Sequence, residues 1–379
     1  MPGEMIRIAH LQPLVPHYRE AFFARLGEKA GQQDIYTFER PKDSKAQEFL
    51  IGKTCQTYLP SRRRGALLLY DPRPFLRGHY DALVLMLHFG HLTTWLLLLT
   101  KWLHRRKIVL WGQGISVKRY LQEERKPDWK LRLMIALADG VWLYMEKECE
   151  QWQRVFPNKP MVALCNSLTG VEQMTTYRSD LSVAELKRKY NITQRRVLIF
   201  CARFESTYRR VDLLVETIKR LDPENFAFVI IGAGRNKPDF SPFPNVYDFG
   251  AVYDTDVKRE LFTLADIYYQ PGWVGLSIVE AMAYGKPIFT FVRSNETFQC
   301  VEYSYIRHGW NGMLLNDISQ AVNVIRSCSA EELETMGNNA RDYVQHNLSV
   351  DQMASRGMKV VEAVVNKHKH CQGGDAVPR

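Results

Sequence analysis

The chain has 379 residues, 46% of them hydrophobic and 24% charged, a globular composition that excludes intrinsic disorder and is too long for one ordinary core. A net charge of +10 suits an anionic partner, a nucleotide, a phospholipid surface or a nucleic acid, or else describes a mildly basic cytosolic protein. The seven scattered cysteines, odd in number and without a C-x-x-C pair, suggest neither a zinc site nor a disulfide framework and fit a reducing compartment.

The chain begins "MPGEMIRIAHLQP", without the apolar core of a secretory signal, and reads as a strand. The amphipathic "YREAFFARLGEKA" follows as a helix, then "QDIYTFE" as a second strand. From Ala82 to Thr100 no Asp, Glu, Lys or Arg occurs, a length that spans a bilayer. Its composition divides it instead into a buried strand "DALVLML", a loop "HFGH" and a helix "LTTWLLLLTKWLHRRK". That helix is either a very apolar core element or a monotopic one pressed on an anionic leaflet, with Lys101, Arg105, Arg106 and Lys107 at the lipid surface. The stretches "RRKIVLWGQG", "ALADGVWLY" and "PMVALCNS" complete a first half of strands alternating with helices.

After Asn166 the pattern restarts. "RRVLIFCARFE" leads into the helix "RRVDLLVETIKRL", and "FAFVIIGAG" and "NVYDFGAVY" precede the helix "DTDVKRELFTLA". "DIYYQPG", a helix from Leu276, "KPIFTFV" and two closing helices follow. Short apolar runs alternating with helices specify an α/β fold with parallel sheets. We expect two such halves, residues 1–168 and 169–348, with 349–379 forming a helix that returns to the first half and then the unstructured tail "KHKHCQGGDAVPR". Ligands of open parallel sheets bind at the carboxyl ends of the strands, which predicts a cleft between the halves.

Two constellations carry chemistry. In "PGWVGLSIVEAM", Gly272 and Gly275 permit close backbone approach, and the helix opening at Gly275, Leu276 and Ser277 offers amides to an anion. Glu280, one turn further on, suits a ribose diol; a purely structural strand-to-helix turn is the alternative. In "CARFESTYRRVDLL", Arg203 ends a strand and Arg209 and Arg210 precede a helix, which suits a diphosphate or else describes solvated arginines. His88 and His91 end the strand "DALVLML" and Gln113 the next one, as ligands, proton relays or merely solvated side chains. Glu302 is either a donor-side acid or a helix-start acid. "SRRRG" and "WLHRRK" are basic but lack the aromatic interleaving of a nucleic-acid module, so no nucleic-acid partner is expected.

The order of "CARFESTYRRVDLL", "FVIIGAG", "DFGAVYD", "ADIYYQPGWVGLSIVEAMAYGKPI" and "VEYSYIRHGWNGMLL" resembles the second half of GT-B fold glycosyltransferases, most closely family 4. "PHYREAFFARL", "IVLWGQGISVK", "ALADGVWLYMEKE" and "VALCNSLTG" resemble the first half of a bacterial branch that builds surface polysaccharides. The resemblance implies two Rossmann-like domains and a retaining transfer from a nucleotide-sugar to a glycan or lipid-linked acceptor, in the cytoplasm or at the inner face of its membrane. No obligatory cofactor or metal is implied. Arg203 and Arg209 then hold the donor diphosphate and stabilise the departing charge, with backbone amides at Gly275 and Leu276. Glu280 matches the second acid of an E-x7-E motif, Val252 and Tyr253 the nucleobase site, and Gly232 a strand end at the same cleft.

The chain departs from the family pattern at two places. Gly272 stands where the sugar-facing first acid belongs, leaving sugar recognition to the amides of Trp273 and Val274 and to stacking on Trp273. His17, Tyr18 and Arg19 replace a Gly-Gly loop near the reacting centre. A non-catalytic nucleotide- or membrane-binding protein and a nucleotide-sugar epimerase are the alternatives on this fold.

Overall fold

The computed structural model describes residues 5–40 and 51–372, with side chains through residue 366. The chain divides into two compact units: residues up to Thr169 together with Val350 onward, and Gly170–Ser349.

The first unit is built on a seven-stranded parallel sheet of order β3-β2-β1-β6-β7-β8-β9. Its strands are β1 (Ile6–Gln12), β2 (Gly31–Thr37), β3 (Thr57–Tyr58), β6 (Ala82–Met86), β7 (Lys107–Gly112), β8 (Gly140–Leu143) and β9 (Met161–Ala163). An antiparallel hairpin, β4 (Ser61–Arg64) with β5 (Leu67–Tyr70), stands apart from that sheet. The central strands "ALVLM", "IVLW" and "GVWL" are almost wholly buried because helices cover both faces, as parallel crossovers require. The helix Val350–Gln372 belongs to this unit. Its Gly357 carbonyl accepts a hydrogen bond from Trp142 Nε1 at 3.1 Å, and a Cβ at Gly357 would stand 3.0 Å from the Trp142 ring. The helix runs into the segment expected as a tail, and residues 373–379 lie outside the described residues.

The second unit carries a six-stranded parallel sheet of order β12-β11-β10-β13-β14-β15. These are β10 (Arg196–Cys201), β11 (Phe226–Ile231), β12 (Val246–Asp248), β13 (Ile267–Tyr269), β14 (Ile288–Phe291) and β15 (Gly312–Leu315). An aspartate stands immediately before β6, β8 and β13 in a repeated way: Asp81, Asp139 and Asp266 each accept from the amide of the second residue of the neighbouring strand, Arg7, Ile108 and Val197. β3, β4, β5 and β15 were not legible as strands, being short or only partly apolar.

The stretch Ala82–Thr100 folds as β6, a turn and the helix Leu92–Leu99, so it does not span a bilayer. Among the described residues no helix is long and apolar enough to cross a membrane. Of the four cations expected at a lipid surface, only Arg105 is exposed. Lys101 donates to the Leu137 carbonyl at 2.8 Å and pairs with Asp139, Lys107 pairs with the same carboxylate, and Arg106 bonds the Gly78 carbonyl.

Candidate functional site

The chain leaves β13 through Gln270, a fully buried residue whose amide organises the turn that follows. Gln270 Nε2 donates to the carbonyls of Gly272 (3.1 Å) and Trp273 (2.8 Å), and Oε1 accepts from the hydroxyls of Tyr268 (2.7 Å) and Ser277 (3.2 Å). A second fully buried glutamine holds the other side. Gln299 Oε1 accepts from the Val274 amide at 2.8 Å, while Nε2 donates to Pro271 O, Thr290 Oγ1 and Phe291 O at 2.8–3.3 Å. A buried amide with all its positions bonded rigidifies a loop, whereas one left unpaired would destabilise it. The network holds Trp273 at φ +52°, a left-handed conformation unusual for a bulky residue.

This arrangement revises two expectations. The Trp273 amide donates to Phe298 O at 2.8 Å and the Val274 amide to Gln299, so neither is available to recognise a sugar. One face of the Trp273 ring is covered by Tyr208, with centroids 5.0 Å apart and planes inclined 25°. Gly272 is closed as well: a Cβ there would stand 2.5 Å from the Tyr208 carbonyl and 2.8 Å from Arg210 Cγ. The position aligned with the missing acid therefore has no room for any side chain.

Gly275 differs. A Cβ at Gly275 would meet nothing nearer than Cys300 Sγ at 3.7 Å, an ordinary contact, so the protein's own packing does not demand glycine. The amides of Gly275, Leu276 and Ser277 find no acceptor among the described residues. Cys300 itself is inert, since burial and then Glu302 push its thiol up to about 12.

Arg209 reaches this turn from the 3-10 turn Thr207–Arg209, in the segment between β10 and the next helix. Its Nη1 donates to Trp273 O at 2.8 Å, the one hydrogen bond of its guanidinium, and it makes no ion pair among the described residues. Burial lowers its pKa from the ordinary arginine value, and the charge of Arg203 acts in the same direction. The structure thus brings the Arg209 guanidinium to the turn whose next three amides are unclaimed among the described residues, with the Arg203 charge acting on it. Arg210 serves otherwise: it is clamped by Asp212 at 2.8–3.1 Å and by Thr297 Oγ1 at 2.7 Å.

Glu280 lies one turn into the helix Ser277–Ala283, where its Oε2 accepts from Lys258 Nζ at 2.7 Å. Burial opposes the Lys258 charge, but Cys201 and the Glu280 carboxylate raise its pKa above the usual lysine value. Glu280 Oε1 has no hydrogen-bond partner among the described residues. Val252 is half-buried and Tyr253 is 75% exposed, in the loop before the helix Thr255–Leu264 that carries Lys258. The Gly232 amide donates to Gly250 O at 2.7 Å and its φ of +149° lets it pack against Ala202, so it shapes the loop and offers no donor. The triplet Asp254-Thr255-Asp256 caps the same helix: Asp254 accepts from the amides of Asp256 and Val257 at 2.8 and 3.0 Å.

The expected residues of the first unit are less organised. His88 follows β6 with much of its surface exposed, while its Nδ1 is turned inward to accept from the Gly90 amide at 3.1 Å; partial desolvation of the ring and then Arg63 lower its pKa. His91, 4.9 Å from it between ring centroids, is a core residue. Burial drives the His91 pKa down to about 3, and its Nδ1 has no partner among the described residues, which removes it from any proton relay near neutrality. His10 behaves alike, wholly buried with a pKa of about 3, and was not singled out in the sequence. Arg19, expected near a reacting centre, is buried. It bonds Asn166 and Met353 Sδ and lies over the rings of Tyr18, Trp111 and Tyr144. His17 is exposed with its ring edge-on to Tyr18, and Gln113 is half-buried between Gly112 and Gly114.

Residues 195–330 match the family model described as Glycosyl transferases group 1. HepE from Anabaena, solved with UDP, superposes with a TM-score of 0.66 over 95% of this chain and 100% of its own, at 14% identity. The fold is GT-B. A glycosyltransferase from Rickettsia africae has the same GT-B fold, with a TM-score of 0.66, 13% identity, and 96% and 99% of the two chains covered. WaaG, a glycosyltransferase involved in lipopolysaccharide biosynthesis, superposes at 0.56 with 15% identity over 94% and 99% of the chains. No curated protein matches the chain in sequence.

Three residues of the site escaped the sequence reading. Gln270 and Gln299 are isolated neutral amides with no periodicity, and only the "QPG" ending of a strand hinted at the first. Lys258 sits 22 positions before the carboxylate it neutralises.

Proposed function

We propose that the chain is a retaining glycosyltransferase that moves a sugar from a nucleoside-diphosphate donor to a lipid-linked or polysaccharide acceptor in cell-surface glycan biosynthesis. One observation carries this reading: a half-buried Arg209 whose single hydrogen bond among the described residues goes to Trp273 O, on the turn whose next amides, Gly275–Ser277, find no acceptor among the described residues. Arg209, with no ion pair among the described residues, supplies a charge-assisted donor at a turn whose amides are unclaimed, which suits a diphosphate. Glu280 Oε1 accepts from the ribose, with Lys258 holding the other oxygen, and Val252 and Tyr253 flank the base.

Fixed positive charge stabilises the leaving diphosphate as the glycosidic bond breaks, and the leaving oxygen takes the acceptor's proton on the same face. No obligatory cofactor or protein base is called for. Work takes place in the cytoplasm, at the inner face of its membrane. UDP, the nucleotide held by HepE, is the first ligand to try.

The test is a thermal-shift screen of nucleotide-sugars followed by detection of released nucleoside diphosphate with acceptor. Release that depends on acceptor and disappears in Arg203→Ala supports the proposal. Binding without turnover favours the second reading, a non-catalytic nucleotide-binding protein, which the closed space at Gly272 motivates.

A further inference from the structure

The helix Leu92–Leu99 carries leucines on both faces, with Leu97 and Leu98 buried. Its buried face carries Thr93 and Thr94, whose hydroxyls are satisfied by Tyr70: Tyr70 N donates to Thr93 Oγ1 at 3.0 Å, and the Tyr70 hydroxyl meets Thr94 at 2.8 Å. Other leucines occupy the outer face. Leu92, Leu96 and Leu99, continued by Leu103 on the short helix Lys101–His104, recur at spacings of four, three and four and form one exposed stripe. Leu99, Leu103 and Trp102 are 60%, 61% and 74% exposed.

Two neighbouring elements extend the stripe. The hairpin β4–β5 is fixed to the start of the helix by the Leu68 amide, which donates to Gly90 O at 2.8 Å. Its register sets Arg62 opposite Leu69 and Arg64 opposite Leu67, so one face shows two arginines and two leucines, all exposed. On the helix Trp129–Leu137, Trp129 and Leu133 are exposed one turn apart, and the Lys130 ammonium lies 4.7 Å over the Phe89 ring.

Residues 61–70, 92–107 and 129–138 contain nine lysines and arginines and no acid. Arg62, Arg64, Arg105 and Arg132 are exposed and make no ion pair among the described residues. An apolar patch of this extent marks an interaction surface. Its uniform charge selects the partner: a second copy would set guanidinium against guanidinium, whereas lipid phosphates complement them. Tryptophans and leucines among arginines are the side chains that enter the headgroup and upper acyl region.

We propose that the hairpin β4–β5, the helices Leu92–Leu99 and Lys101–His104, and the helix Trp129–Leu137 form one docking surface for an anionic bilayer. This assignment stands independently of the donor site. The full chain is floated with phosphatidylcholine vesicles and with vesicles of equal phosphatidylcholine and phosphatidylglycerol. It should rise with the mixed vesicles at low salt and be released as salt increases. The double variant Arg62→Glu, Arg64→Glu should bind the mixed vesicles roughly tenfold more weakly. Leu99→Ser with Trp102→Ser should lower binding about tenfold as well. All four positions are exposed, so unchanged circular dichroism will show that folding is intact. Wild-type protein that stays in the supernatant, variants that float as the wild type does, or self-association through Trp102 without vesicle binding would each overturn the proposal.

Discussion

The turn Pro271–Val274 and the strand ends of the first unit treat buried polar groups in opposite ways. Around the turn, Gln270 and Gln299 have every amide position bonded, and the peptide groups they leave unclaimed are those of Gly275–Ser277. In the first unit, both ring nitrogens of His10, Nδ1 of His91 and the Trp111 indole nitrogen are buried with no partner among the described residues. A bonded network fixes donors in place before a ligand arrives, whereas burial without bonds keeps imidazole neutral and removes it from chemistry. Buried position alone therefore does not distinguish a site from a core.

The most disruptive way to break the contrast is Gly272→Glu, which restores the acid of the related pattern. Backbone and Arg210 leave no space for it, so the variant should lose about 4 kcal/mol or more in chemical denaturation. A stable variant with a gained sugar preference would show that the turn is not held as described. Gln299→Leu comes next. It strips partners from Val274 N, Pro271 O and Phe291 O, at an expected cost of about 3 kcal/mol, and nucleotide affinity should fall with it.

Acid sharpens the other half of the comparison. His10 and His91 hold folded-state values of about 3 against 6.5 unfolded, so the unfolded chain takes up protons first as pH falls. Stability is complete above about 6.5 and is lost below it, by about 1 kcal/mol per histidine between roughly pH 6.5 and 5.5. Denaturant titrations at the two pH values check this, and His91→Phe should reduce the loss by about half. An unchanged pH slope in that variant would place His91 outside the apolar core.

The apolar runs "ALVLM", "VLIFC" and "FAFVII" were legible because parallel strands covered on both faces need continuous hydrophobic sequence. The glycine turn and the two arginines were legible through their place at strand ends. What Gly272 does was not, since the carbonyl that excludes a side chain there comes from Tyr208, 64 positions before it. Nor does a sequence tell which side of "LTTWLLLL" faces inward, because leucines lie on both sides and only the Tyr70 contacts turn the threonines in.

The central claim is that Arg209 is held in readiness for a diphosphate. Calorimetric titration of UDP into the wild type and Arg209→Ala tests it most directly. The account predicts binding by the wild type and a loss of about tenfold or more in the variant, because a charge-assisted contact is removed. Equal affinity in the two proteins would contradict it.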